Sequence, residues 1–149
     1  MDSIWLTGAE WLAVLRVGLG LWWLESWRHK DKKGWFERGT GIAWAADVAG
    51  KHRWAVVRSG FDAVVAPRPK VMAYVVAYAE LALGLGLIVG FLTPIALVCG
   101  LLLNVIYLVL MIHDWAEQGQ NGMMALISLV ALFAMSWQTW SLDHALGLF

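Results

Sequence analysis

The chain has 149 residues, of which 60% are hydrophobic and eleven are tryptophan, and its mean hydropathy is +0.65. That apolar share lies well above the range of ordinary soluble domains. Eleven Lys and Arg balance eleven Asp and Glu, and a single cysteine, Cys99, excludes an internal disulfide.

Crossing about 30 Å of hydrocarbon takes about 20 mostly apolar residues, and four stretches qualify: about 4–26, 71–92, 94–112 and 122–140. The expectation is an all-α fold, one integral membrane domain over 1–149. It would be a four-helix antiparallel bundle whose backbone hydrogen bonds close inside each helix, as lipid demands.

The first run contains Arg16, lacks a basic leader and ends in "LWWLESW" without a small-residue cleavage site, so it reads as a membrane helix and not a signal peptide. The connection from 28 to 70 follows. It holds ten of the eleven cations (Arg28, Lys30, Lys32, Lys33, Arg38, Lys51, Arg53, Arg58, Arg68 and Lys70), which by the positive-inside rule places it in the cytoplasm and both termini outside. Its "DKKGWFERGTG" reads as a surface loop. From His52 to Val65, Trp54, Val57, Phe61, Val64 and Val65 recur at helical spacing. Such an amphipathic helix either lies in the membrane interface, with its cations toward anionic lipid, or folds back over the mouth of the bundle. Two prolines in "APRPK" stop it before the second span.

The second span carries Glu80 in the middle of "AYVVAYAELALGLGLIVGF". Gly90 and Pro94 separate it from the third span by a tight turn, since proline suits a first helical turn and breaks an interior. Ionisable groups at mid-bilayer face the bundle interior, paired or lining a wet site. Arg16 is the cation at comparable depth, so an Arg16–Glu80 pair is expected, with Gly20 and Gly84, one turn beyond each, allowing close approach. The pair either sets helix register or borders a buried polar pocket.

Asn104, Tyr107, Met111 and Asp114 share a stripe of the third span; Asn104 and Tyr107 facing Glu80 would form a pocket for a small oxygen-bearing ligand such as a quinone or lipid headgroup. His113 and Asp114 can be read as a proton path or as an interfacial polar cap. Tyr74, Tyr78, Trp115, Trp137 and Trp140 fit aromatic belts, while His29, His52 and His144 read as isolated, solvent-facing residues. No phosphate loop, metal-ligand spacing or nucleophile elbow is present. The basic connection joins membrane spans, so its charge is explained by topology without nucleic acid.

Taken together, "LRVGLGLWWLESW", "YAELALGLGLIVGFLTPIALVCGLLLN" and "ALISLVALFAMSWQTWSLD" resemble the DoxX-like membrane proteins, related to the DoxD subunit of thiosulfate:quinone oxidoreductase. Arg16, Glu80 with the glycine-rich stretch after it, and the closing Ser141-Leu142-Asp143 carry the resemblance. It implies the four-helix fold and a role as a small accessory or stabilising subunit of a larger membrane oxidoreductase, possible quinone linkage included. With no cofactor ligands of its own, the chain would rely on partner subunits for electron transfer. The alternatives are a self-contained oxidoreductase passing electrons from thiosulfate or a similar sulfur anion to quinone, and a membrane scaffold or lipid-organising protein.

Overall fold

A computed structural model describes residues 5–31 and 33–149, and every element among them is helical. Seven α-helices follow in order: α1 (Gly8–His29), α2 (Thr40–Gly50), α3 (Ala55–Val64), α4 (Pro69–Val89), α5 (Thr93–Leu110), α6 (Trp115–Phe133) and α7 (Leu142–Leu146). A π-helical turn, Gly34–Arg38, precedes α2, and a short 3-10 turn, Ser136–Gln138, follows α6.

Local chemistry accounts for most boundaries. Thr7 and Glu10 close a reciprocal capping box at the start of α1, and the Asp114 carboxylate accepts from Ala116 and Glu117 to open α6. Pro69 and Pro94 stand in the first turns of α4 and α5, where a missing N–H loses nothing. Between these two helices Gly90 takes φ +72° and Leu92 φ +50°, so the chain reverses within three residues, as the Gly90/Pro94 signal predicts.

The four long helices pack around one another, α1 against α4 and α6, and α5 against α4 and α6. α1 and α4 run in opposite directions. Arg16 meets Leu87 while Lys30 meets Glu80 across α1 and α4, and Gln118 of α6 reaches the Leu108 carbonyl of α5. The α1–α4 crossing is close because both contact residues are glycine: a Cβ at Gly20 would lie 2.9 Å from Gly84 O and Ile88 N, and one at Gly84 would lie 2.9 Å from Leu24 N. Ala13, Ala73 and Ala77 are fully buried along the same seam.

Polarity is arranged inside out. Arg16, Glu80, Asn104, Asn121, Ser128 and Asp143 are buried, whereas Phe133 is 80% exposed and Leu102 59% exposed, among many apolar side chains on the outer face. Water would penalise that surface and lipid would not. Among the described residues, α4 and α5 are long and apolar enough to cross a membrane.

Several boundaries differ from the sequence expectation. The first span, taken as 4–26, starts outside the described residues at Ile4 and continues to His29, and Lys32 of the basic connection also lies outside them. The last span, taken as 122–140, is shifted: α6 begins at Trp115 and ends at Phe133. Asp114 starts it early, and positive φ at Met135 and Trp140 breaks the chain into a hook thereafter. The surface loop at 31–41 instead contains the π-helical turn, and it leads into α2, an unpredicted helix. There, Trp35 lies against Gly41 so closely that any Cβ would collide with its ring, and it donates to Ala73 O at 2.8 Å. The amphipathic segment is helical as α3, with no buried residue of its own.

His52 is not solvent-facing. It is buried in the α2–α3 corner, with Nε2 3.0 Å from Val109 O and Nδ1 accepting from Trp54 N at 3.1 Å. This arrangement uses the neutral tautomer with the proton on Nε2, and it ties the corner to the end of α5.

The glycine seam has a direct test. Gly20→Leu should lower stability by about 2–3 kcal/mol through overpacking, read by reversible detergent unfolding. Gly18→Leu, where a Cβ has no neighbour within 4 Å, should change little; equal effects at both positions would mean that the close crossing is not the constraint.

Candidate functional site

The two buried charges do not pair with each other. Gly20 opposite Gly84 brings Arg16 level with Leu87, seven residues along α4 from Glu80, which at about 1.5 Å per residue is about 10 Å away. Register therefore puts them at different levels along the helix pair. Each charge has found other partners at opposite ends of the helix pair.

Arg16 is fully buried. Its Nε donates to Leu87 O at 3.1 Å, one terminal nitrogen donates to Ser136 O at 2.8 Å and Thr139 O at 3.2 Å, and the other donates to Trp140 O at 2.6 Å. These are carbonyls that the end of α4 and the hook after α6 leave without helical partners. Asp143 supplies the nearby negative charge. Its two carboxylate oxygens accept from Leu92 N and Thr93 N, both at 2.7 Å, capping α5 from a distant part of the chain, while Asp143 N donates to Gly90 O at 2.9 Å. Ser141 caps α7 through His144 N at 3.0 Å, and Leu142 is exposed between them. Ser141-Leu142-Asp143 is thus the closing half of a latch whose other half is Arg16.

Glu80 lies at the other end, 1% exposed, in an ion pair with Lys30. Side chains on a helix lean toward its N-terminus. Lys30, just past the end of α1, accordingly folds back over Ser26, whose backbone and hydroxyl oxygens are both 3.4 Å from Nζ, to reach the carboxylate. The Lys30 ammonium also sits 4.9 Å from the Trp35 ring centroid. On the other carboxylate oxygen, Tyr107 donates at 3.3 Å. The structure therefore joins Tyr107 to Glu80. Asn104, one turn deeper, stays apart, fully buried, with neither amide atom bonded among the described residues.

Lys30, Glu80 and Tyr107 form the polar face of a cavity of about 630 Å³ enclosed by α1, α4, α5 and α6 and covered by α2 and α3. Its polar rim continues through Ser26, Glu117, Gln120 and Asn121; the remaining wall is apolar and rich in tryptophan. Trp23 belongs to that wall and is 1% exposed; its indole N–H packs beside Gly100 of α5 and has no acceptor among the described residues. The proposed proton-path residues stand outside it: Asp114 is the N-cap of α6, and His113 is exposed, its ring 6.3 Å from that of His52.

An apolar exterior, membrane-length helices and a buried ionic cavity define an all-helical membrane protein. The DoxX family model matches residues 11–114, from within α1 to the start of α6, and the chain belongs to the DoxX family. That family consists of membrane proteins often linked to oxidoreductase and quinone-related functions. The match stops before the hook, so Ser141, Leu142 and Asp143 lie beyond it. No curated protein and no solved structure matches the chain.

Sequence reasoning missed Lys30 because it stands among cations that topology already explains. The available signal was its position: just past the α1 end, leaning back, it is within reach of a carboxylate about one turn deeper.

Two substitutions separate the roles of the charges. Arg16→Met strips donors from four carbonyls and should destabilise by about 3–5 kcal/mol; Arg16→Lys should recover only part, because an ammonium lacks the planar fork. For the other charge, a cycle of Lys30→Met and Glu80→Gln should show coupling of roughly 1–3 kcal/mol in detergent unfolding. Additive effects would show that the pair contributes no direct interaction.

Proposed function

We propose that this chain is a small membrane-spanning subunit that accompanies a larger oxidoreductase assembly, with quinone as the linked redox partner. In this reading the four long helices form an antiparallel bundle across the bilayer, and the whole chain is one domain. The basic connection lies on the cytoplasmic side, with the apolar face of α3 in the interface and both termini outside. The observation that carries it is the cavity: a mostly apolar chamber with a buried Lys30–Glu80–Tyr107 group inside a bundle whose exterior suits lipid.

A quinone fits the donors present. The Lys30 ammonium is the donor that can face a carbonyl oxygen, with the Glu80 carboxylate and the Tyr107 hydroxyl beside it, while the tryptophan-rich wall suits a ring and tail. Such a group, when bound, would supply two-electron redox chemistry. The chain's own part is to orient the head, exclude water and hold a proton at Glu80 or Tyr107. Electrons would come from partner subunits.

The self-contained sulfur-anion enzyme is less well supported, because it needs Arg16 to hold the anion. Its guanidinium instead satisfies four backbone carbonyls on the far side of the bundle from the cavity. A lipid-organising scaffold leaves the buried ionic group with structure alone to serve.

Extraction from native membrane in mild detergent, followed by intact mass and an optical spectrum, tests the reading. Co-purifying chains with haem, flavin or metal absorbance are expected. A lone chain that reduces quinone with thiosulfate would replace this reading with the second one, and a lone chain without redox activity would replace it with the scaffold.

A further inference from the structure

The cavity has a sign and an entrance. Among the described residues that line it Lys30 is the cation, while Glu80 and Glu117 are both carboxylates, so the formal charge of this described lining is negative. Lys30 is already neutralised by Glu80, and Glu117 is held by Asn121, whose side-chain amide donates to it at 3.2 Å. A free anion would enter against an uncompensated carboxylate and would have to break the Lys30–Glu80 pair to gain a counter-charge. Removing one partner from a buried pair is costly. A neutral head needs neither step: it can donate to the Tyr107 oxygen or to the carboxylates, or accept from the Lys30 ammonium, with the ion pair intact.

The entrance selects in the same direction. Trp22 of α1, Trp44 of α2, Val56 of α3 and Val105 and Ile106 of α5 line the cavity and are also exposed. Four helices therefore contribute apolar side chains both to the wall and to the outer surface. In the bilayer placement proposed above, on which this inference rests, that lip faces hydrocarbon and headgroup region, where an amphiphile is concentrated and a hydrated anion is excluded.

We propose that the cavity is a binding site for a neutral amphiphile entering laterally from the bilayer, its hydroxyl or carbonyl head on the Lys30–Glu80–Tyr107 face and its hydrocarbon along the tryptophan-lined wall, and that the site rejects anions. The shared chemistry is an uncharged oxygen-bearing head on an apolar tail. Isoprenoid-type quinones and neutral glycerides are the two sources of it.

The purified full-length chain in detergent is titrated with a decyl benzoquinone, with monoolein, with decyl sulfate and with sodium thiosulfate. Adducts are counted by native mass spectrometry, and quinone binding is also read from quenching of the wall tryptophans. At least one neutral probe should bind about tenfold or more tightly than decyl sulfate, with no thiosulfate adduct. Preference for the quinone or for monoolein identifies the source. Ala45→Trp, which adds bulk at the half-buried wall, should weaken that binding about tenfold or more. Tyr107→Phe, which keeps the ring and removes one hydroxyl, should weaken it about fivefold, the equivalent of one hydrogen bond of about 1 kcal/mol. Tighter binding of decyl sulfate, absence of binding by both neutral probes, or neutral binding indifferent to both variants would each overturn the proposal. A chain released from membranes by high salt without detergent would instead overturn the bilayer placement, so the two failures are distinguishable.

Discussion

The structure depends on how a guanidinium is kept in a place without water. An isolated charge there would be prohibitive, and a matching carboxylate would be the obvious remedy. Arg16 is satisfied differently, by the backbone. The last carbonyl groups of α4 and the hook after α6 have no helical donor, and a planar fork of N–H groups meets several at once. Each side supplies what the other lacks. Asp143 then provides the charge balance while its oxygens cap the first amides of α5. One end of the molecule is thereby closed by α1, the α4–α5 turn and the C-terminal hook together.

Because that end is closed, polarity at the other can be used differently. Glu80 does not have to neutralise Arg16, so it is available to a lysine from outside the span. A long flexible side chain can bring its charge inward while its stem covers apolar surface, and here it packs beside Trp35 and over Ser26. The pair is buried, yet it borders a cavity. Buried ion pairs add little to stability compared with apolar packing, so an ionic group retained beside open volume points to ligand chemistry more than to fold maintenance.

The legible parts of the sequence were those governed by local rules. Composition and the outward apolar residues give the membrane class, Gly90 with Pro94 gives the α4–α5 reversal, and Gly20 with Gly84 gives the close crossing. What escaped depended on register and on distant partners. Hydropathy measures depth along a span but not the stagger between two spans, so Arg16 and Glu80 looked adjacent. The shift of α6 by seven residues came from Asp114 acting as a cap ahead of a polar first turn, "WAEQGQNG", that hydropathy discounts. The start of α2 was hidden because the glycines and mixed charges of "DKKGWFERGTG" suggest a loop, whereas its Gly41 is required by the Trp35 ring resting on it. His52 looked solitary because its partner, the Val109 carbonyl, has no side-chain signature.

Family membership alone leaves the role open, and the distribution of charge narrows it. Were the cavity a receptor for a sulfur anion, the fully buried guanidinium should face it. Arg16 instead lies behind the core formed by Leu19, Trp23, Leu83 and Leu87, its donors already engaged, while the cation that does face the cavity is neutralised by Glu80. Two cations are thus withheld by two separate mechanisms. The groups left on the cavity side are a tryptophan-rich apolar wall and polar side chains already paired with one another, Tyr107 to Glu80 and Glu80 to Lys30, and such surfaces discriminate by shape and by the cost of desolvation. A molecule that can reach them is one the bilayer already dissolves.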